Sequence, residues 1–263
     1  MTLTIISYGG GVQSTAMLVL ATQNKLGIKV DAALFSNVGD DSEHPSTLDY
    51  VRNVAQIKSN IPVVELHPES RGIPLTLMEL LVRENTPSIP VRFAHGAPAQ
   101  RSCTRRFKVQ VINKWLRSNG ATKNNPANVC IGISTDEIQR VNPNRSTKIE
   151  KALYPLIDLG LNRSQCQQII ADAGWPVPRK SSCYFCPFHR PQEWSEMLRD
   201  EPELFEKSAQ LEDTINVKRI ANGKDRVFLS GAGIPLRDAI GEAQDMLPLE
   251  TDWGSCDSGH CMT

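Results

Sequence analysis

The segment SYGGGVQST, residues 7–15, decides the fold. Residues 3–7, which lead into it, are mostly apolar and predict a buried strand. Residues 14–25, which begin at its end, carry apolar side chains at helical spacing. Three successive glycines let the backbone approach an oxyanion closely and adopt positive φ. The helix that follows offers unpaired N–H groups and the positive end of its dipole. The segment therefore predicts a site for an anion such as phosphate, and the alternative is a tight turn that binds no ligand.

Strands and helices alternate between residues 3 and 173. Strands are expected at residues 3–7, 30–36, 61–66 and 129–134, and helices at residues 14–25, 47–58, 109–118 and 163–173. Such alternation predicts βαβ units, and therefore an α/β fold with a parallel sheet that has helices on both faces. We divide the chain into an α/β nucleotide-binding domain, residues 1–160, and a helical C-terminal part, residues 161–263, with a cysteine motif and a cysteine-containing tail.

The composition excludes several classes of protein. Of the 263 residues, 40% are hydrophobic and 22% are charged, which is close to the globular average and excludes a disordered, collagen-like or coiled-coil chain. No apolar run approaches the roughly 20 residues of a membrane span. Residues 1–6 lack the basic region and the long apolar core of a secretory signal, so we expect a cytoplasmic protein without a membrane partner.

The charges are distributed unevenly, although the net charge is zero. Residues 101–151 contain 11 lysine and arginine residues against 3 acidic residues. Such an excess suggests a local anion site, and a solvated basic face is the alternative.

Two common phosphate-binding loops fit residues 7–15 poorly. The Walker pattern needs a Gly-Lys-Ser/Thr sequence, and the segment has no lysine. The dinucleotide fingerprint needs a third glycine or an alanine at the position of Ser14. Residues 10–15 instead resemble the Ser-Gly-Gly-x-Asp-Ser loop of the PP-loop ATP pyrophosphatases, with Gly9 in place of the first serine and Gln13 in place of the aspartate.

Further segments resemble the phosphoadenosine phosphosulfate (PAPS) reductases. Residues 37–39 and 43–47 are similar to the segment after the second strand of those enzymes, where Pro-Glu-Thr opens the next helix. Residues 132–140 resemble their Gly-x-Arg-x-x-Gln/Glu-Ser-x-x-Arg stretch, and residues 154–158 resemble Asn-Pro-Leu-x-Asp-Trp. These segments occur in the family's order between residues 5 and 190. The chain thus resembles a PAPS-reductase-like PP-loop protein.

This resemblance implies a Rossmann-like PP-loop domain that binds ATP with Mg²⁺. Enzymes of the nucleotidylating kind split ATP into AMP and pyrophosphate and attach AMP to an acceptor oxygen, which makes that oxygen a good leaving group. Residues implied to contact the nucleotide are Ser7, Tyr8, Gly9, Gly10, Gly11, Gln13, Ser14, Thr15, Asn37 and Gly132. Those implied to be catalytic are Ser14, Lys108 and Arg140.

We expect the activated oxygen to be replaced by sulfur. The preferred task is thiolation of nucleic acid, either of a base or of a DNA backbone phosphate, with a sulfur donor such as a cysteine desulfurase. DNA, tRNA and a small molecule all remain open as acceptors. The alternatives are a sulfonucleotide (APS or PAPS) reductase and a catalytically silent subunit that binds a nucleotide and a cluster in a larger complex.

Seven cysteines, an odd number, favour metal binding or redox chemistry over a disulfide framework in a cytosolic chain. Cys183 and Cys186 form a C-x-x-C followed by proline, which zinc, an Fe–S cluster and a redox pair all use. Residues 103–109 resemble the Cys-Cys-x-x-Arg-Lys-Val segment of cluster-bearing adenosine phosphosulfate (APS) reductases, but Thr104 replaces the second cysteine. The resemblance implies a [4Fe–4S] cluster on Cys103, Cys183 and Cys186, with zinc as the alternative.

The remaining cysteines receive different interpretations. Cys256 in the tail is the candidate for a fourth ligand. Cys261 is less suitable because it is third from the end of the chain, where residues are expected to be mobile. Either tail thiol is alternatively a sulfur shuttle, or has no role, so three and four protein ligands both stay open. Cys130 in an apolar strand and Cys166 on a helix are expected to be core residues.

Overall fold

Five parallel strands form the central sheet of the computed structural model, which describes residues 2–85, 87–142 and 146–243. The described residues include these strands and four others, which form two small two-stranded sheets. In chain order the strands are β1 (Thr4–Tyr8), β2 (Ala32–Ser36), β3 (Val63–Leu66), β4 (Glu69–Ser70), β5 (Ile73–Pro74), β6 (Arg92–Phe93), β7 (Ala127–Cys130), β8 (Glu150–Leu153) and β9 (Val227–Phe228). The helices are α1 (Val12–Thr22), α2 (Pro45–Asp49), α3 (Gln56–Lys58), α4 (Leu77–Arg83), α5 (Ser102–Thr104), α6 (Gln110–Ser118), α7 (Pro155–Asp158), α8 (Arg163–Asp172), α9 (Pro191–Asp200), α10 (Pro202–Ala221) and α11 (Leu236–Ala243). The sheet order β3-β2-β1-β7-β8 places β1 at the centre.

Both faces of the sheet are covered by helices. Successive side chains of a strand point to opposite faces, and β1 shows the result. Ile6 packs in one cluster with side chains of α1 and α8, whereas its neighbour Ile5 packs on the other side with Ile112 and Leu116 of α6. The predicted α/β fold, a parallel sheet between helices, is therefore confirmed.

A second hydrophobic core lies under the C-terminal helices. Trp194 of α9 and Phe205 of α10 meet edge to face, and both are buried. Leu77, Leu80 and Leu81 of α4 belong to the same core, so α4 joins the C-terminal helices. Among the described residues, no helix is both long and apolar enough to cross a bilayer.

Several observed elements differ from the predicted ones in their bounds or their helix type. The strand expected to reach residue 134 ends at Cys130, and residues 131–134 leave the sheet. The helix expected at residues 47–58 is interrupted by a π-helical segment, Tyr50–Ala55. A second π-helical segment, Arg105–Val109, precedes α6, and the Ser36 hydroxyl donates a 2.5 Å hydrogen bond to the Phe107 carbonyl there. π-Helical turns often accompany functional sites.

Candidate functional site

The glycine loop joins β1 to α1 at the carboxyl edge of the sheet. Gly10 has φ +74°, and a Cβ built on it would lie 3.0 Å from Thr47 Cγ2, so glycine is required for both backbone and space. Gly11 is the N-cap of α1 and has no side chain to bond the first turn, which also lacks acidic residues. The first N–H groups of a helix have no intrahelical acceptor. The loop therefore presents the positive end of the helix dipole, with no acidic residue in the first turn of α1 itself.

Gly132, on the segment that follows β7, packs against this helix end. A Cβ on Gly132 would lie 3.0 Å from the Ser14 nitrogen and 3.2 Å from Gln13 Cβ. β1 pairs with β2 on one side and with β7 on the other, so the crossovers diverge between β1 and β7. Ligands of open α/β sheets bind at such a switch point, outside the carboxyl ends of the strands. The structure thus brings Gly9, Gly10, Gly11, Gln13, Ser14 and Gly132 to one place.

Three of the predicted contact residues support the loop from within. The Ser14 hydroxyl donates to the Gly11 carbonyl at 3.1 Å and accepts from the Gly9 N–H at 3.3 Å, so it closes the turn. The Tyr8 and Thr15 hydroxyls lie 3.2 Å apart inside the core, and burial raises the pKa of Tyr8. These two hydroxyls bond to each other, which is a structural role rather than direct ligand contact.

A partly buried polar cluster flanks the loop. Gln13 donates to Glu137 at 3.2 Å and accepts from Arg163 at 3.0 Å, and Glu137 forms an ion pair with Arg140. Burial raises the pKa of Glu137, and the charge of Arg140 opposes this. Predicted catalytic Arg140 is 6% exposed, so its guanidinium belongs to this inner wall. Sequence reasoning missed Glu137 and Arg163; only Glu137 lies inside a segment that resembled the family.

Asn37 lies at the end of β2 and organises the adjacent loop. Its amide donates to Asp40 at 2.6 Å and to Glu65 at 2.7 Å, and its carbonyl accepts from the Gly39 N–H at 2.8 Å. Arg52 bonds the same two carboxylates and lowers the pKa of each. The side chain of Asn37 is therefore committed to this network, which holds the carboxyl end of β2.

Lys108 faces a buried carboxylate that sequence reasoning did not single out. Glu43 is 2% exposed, and burial raises its pKa while the charge of Lys108 lowers it. Lys108 lies on the π-helical segment that Ser36 anchors. Glu43 forms a bridge with Cys183, so the loop after β2 touches the cysteine motif. The structure therefore places Lys108 at the same edge of the sheet as the glycine loop.

The segment that contains Cys103 contacts the segment that contains Cys183 and Cys186, but the described cysteines do not form a complete set of metal ligands. Arg101, two residues before Cys103, lies over the ring of Phe188, two residues after Cys186. Cys103 and Cys183 are half-buried against the second core, and Cys186 is buried. Within the described ranges, no three His, Cys, Asp or Glu side chains are grouped as a metal site requires. The predicted ligand Cys256, like Cys261, lies outside the described residues.

Cys130 and Cys166 are core residues, as expected. Both are fully buried, and burial raises the pKa of each thiol to about 12. A thiol with so high a pKa is neutral and unreactive at pH 7.

Comparisons with known proteins add no assignment. No protein-family model matches the chain, and no curated protein matches it significantly.

Proposed function

We propose that the chain is a PP-loop enzyme that cleaves ATP to AMP and pyrophosphate and adenylates an acceptor oxygen for replacement by sulfur. The observation that supports it best is the close packing of Gly132 on the N-terminus of α1, where a Cβ on residue 132 would lie 3.0 Å from the Ser14 nitrogen. Only glycine can pack so closely on this helix end, and the backbone N–H groups at the start of α1 are donors of the kind that bind phosphate. Buried Arg140, and Lys108 at the same edge of the sheet, would supply positive charge to the bound nucleotide.

The proposed reaction assigns a role to each part of the site. The loop would hold the β- and γ-phosphates of ATP, and Mg²⁺ bound with the nucleotide would neutralise part of their charge. The acceptor oxygen attacks the α-phosphorus, a new P–O bond forms, and pyrophosphate leaves with the electron pair of the broken bond. Arg140 and Lys108 stabilise the negative charge on the α-phosphate and the leaving group. A sulfur nucleophile then displaces AMP.

The acceptor and the sulfur donor follow from the same proposal. A nucleic-acid acceptor agrees with the basic excess of residues 101–151, since its backbone binds lysine and arginine. The sulfur would come from a donor such as a cysteine desulfurase. We place this reaction in the cytoplasm, where both ATP and nucleic acid are present.

Ser14→Ala should lower pyrophosphate release from Mg-ATP by about tenfold, because the loop loses a bond to Gly9 worth about 1 kcal/mol or more. Release would be measured with a nucleic-acid acceptor and a sulfur donor present. Ser195→Ala is the matched control, because that hydroxyl also donates to a backbone carbonyl, on remote α9. Absence of pyrophosphate from the unaltered protein would contradict the proposal. ATP binding without turnover would favour the silent subunit, and reduction of APS or PAPS with thioredoxin would favour the reductase.

We also propose that Cys103, Cys183 and Cys186 hold a [4Fe–4S] cluster, with zinc as the alternative. Three thiols on converging segments are donors that both groups accept, although the described residues do not group them as a complete site. When bound, such a cluster would supply electron-transfer or sulfur-handling chemistry. The adenylation proposed above does not require it.

Anaerobically purified protein should be brown and contain about four irons per chain, as expected of a [4Fe–4S] cluster. Cys103→Ala, Cys183→Ala and Cys186→Ala should each remove the iron, and Cys166→Ala is the control because its thiol lies in the other core. Cys256→Ala should lower iron content and Cys261→Ala should not. Stoichiometric zinc in a colourless, fully active preparation would refute the cluster.

A further inference from the structure

Residues 85–135 contain eight lysine and arginine residues and no aspartate or glutamate. Arg106 and Lys114 pair with Glu84 and Glu69, which lie just before this stretch. Arg101 and Arg105 form no ion pair with any residue that the structure describes. The stretch therefore keeps positive charge that its surroundings do not neutralise, and such a field attracts anionic partners.

Within this stretch, residues 91–101 form a loop whose backbone is fixed by hydrogen bonds; we call it the 91–101 loop. It begins with β6, which pairs antiparallel with β9, and it turns back through a 3.0 Å hydrogen bond from the Phe93 N–H to the Ala97 carbonyl. Ala99 then donates to the Val91 carbonyl at 2.7 Å. A Cβ on Gly233, which has φ +72°, would lie 2.9 Å from the Ala94 carbonyl oxygen. The loop is thus closed by its own backbone and rests closely on the chain that follows β9.

Two arginines of the loop share one aromatic ring. The guanidinium of Arg92 lies 5.6 Å from the centre of the Phe188 ring, and that of Arg101 lies 5.4 Å from it. Arg92 is 5% exposed, and the buried Nη1 of Arg101 has no hydrogen-bond partner in the described part of the chain. Two guanidinium groups beside one ring concentrate positive charge at this part of the loop, which attracts anions. Phosphate fits, because guanidinium binds it with paired N–H groups.

An aromatic pair lies on the turn of the same loop. The rings of Phe93 and His95 are stacked, with centres 5.6 Å apart and planes 2° apart. His95 is exposed and Phe93 is half-buried. The Arg92 guanidinium approaches the Gly96 carbonyl at 3.5 Å, so positive charge and the ring pair belong to one turn. Nucleobases stack on such exposed rings in proteins that bind single strands.

We propose that the 91–101 loop binds single-stranded nucleic acid, with phosphates near Arg92 and Arg101 and a base stacked on Phe93 and His95. The inference rests on the proposed function in that it specifies the acceptor as a single strand. A duplex fits this surface less well, because its bases are already stacked on one another and cannot reach a side-chain ring. Single-stranded DNA and RNA share the chemistry that the loop recognises.

The test is binding of fluorescent oligonucleotides of about 12 nucleotides, a length within the usual range of single-strand sites. Oligo-dT, oligo-rU and a DNA duplex of equal length would be titrated with the full-length protein, without ATP, at several salt concentrations. We expect both single strands to bind, with at least one binding about tenfold more tightly than the duplex. Phe93→Leu with His95→Ala should weaken single-strand binding about tenfold, since leucine keeps the apolar packing but provides no ring.

Arg101→Gln should weaken binding and lower the slope of log affinity against log salt by about 0.7, because one phosphate contact on a single strand is lost. Arg117→Gln is the matched control: it removes the same charge from the same acid-free stretch, but at the exposed end of α6. Thermal unfolding of each variant separates loss of binding from loss of folding.

Three results would overturn the inference: equal affinity for duplex and single strand, equal effects of Arg101→Gln and Arg117→Gln, or no binding at low salt. Loss of iron from Arg101→Gln with unchanged oligonucleotide binding would instead assign this arginine to the cysteines. Because the titrations contain no ATP, single-strand binding without pyrophosphate release would contradict the proposed function and leave the inference intact.

Discussion

Replacing Gly11 by aspartate is expected to abolish ATP binding without destabilising the fold. Gly11 is an N-cap with φ −94° and ψ 177°, a conformation in which aspartate is a favoured capping residue. Its carboxylate would accept hydrogen bonds from the N–H groups proposed to bind phosphate. Two unit charges about 4 Å apart near a protein surface repel by about 4 kcal/mol, which corresponds to about a thousandfold loss of affinity. Calorimetric titration with Mg-ATP and thermal unfolding would measure the two effects.

Gly11→Asn is the matched control for this prediction. Asparagine caps a helix about as well as aspartate but carries no charge, so it should weaken ATP binding much less. Equal ATP affinities of the aspartate and asparagine variants would show that no phosphate lies at the start of α1.

Glu212→Ala is expected to cost about 3–5 kcal/mol of unfolding free energy. The carboxylate of Glu212, 4% exposed on α10, accepts from the Leu229 N–H at 2.6 Å and from the Leu236 N–H at 3.0 Å. Alanine would leave two buried N–H groups unsatisfied. The neighbouring Asp213 is exposed and pairs with Arg237, so Asp213→Ala should cost less than about 1 kcal/mol. Urea unfolding would compare the two, and equal losses would contradict the prediction.

The same residue should make stability depend on pH. Burial raises the pKa of Glu212 from 4.5 to about 7, so between these values the folded protein binds more protons than the unfolded chain. The unfolding free energy should therefore fall as pH rises from 4.5 to 7, by up to about 3 kcal/mol from this group. Glu212→Gln cannot ionise and should flatten the dependence in this range. An unchanged pH profile would exclude Glu212 as its source.

The elements that could be predicted are those with local signals. The apolar residues before the glycine loop and the helical spacing after it are adjacent in the chain, so they predicted β1, the loop and α1, although α1 spans Val12–Thr22 and not residues 14–25. The alternation of apolar segments likewise predicted the parallel sheet. The prediction extended the strand after residue 129 too far, because residues 131–134 are as apolar as those of β7 although Gly132 leaves the sheet to meet α1.

Contacts between distant parts of the chain gave no local signal. Arg163 lies 150 residues from Gln13, and nothing in either segment indicates that they bond. Glu43 sits among polar residues typical of a surface loop, yet it is buried beside Lys108. The π-helical segment Tyr50–Ala55 was likewise hidden, because its apolar side chains have a spacing that fits an α-helix almost equally well.

The backbone pairing at Glu43 and Cys183 couples two regions that the chain separates by 140 residues. Besides this bridge, the His44 N–H donates to the Ser182 carbonyl at 3.2 Å, and the Tyr184 N–H donates to the Ser42 carbonyl at 3.3 Å. A ligand that orders either segment thereby removes conformational freedom from the other. If a metal or cluster binds the cysteine segment and a nucleotide binds the glycine loop, as proposed, each must change the affinity for the other by the same factor.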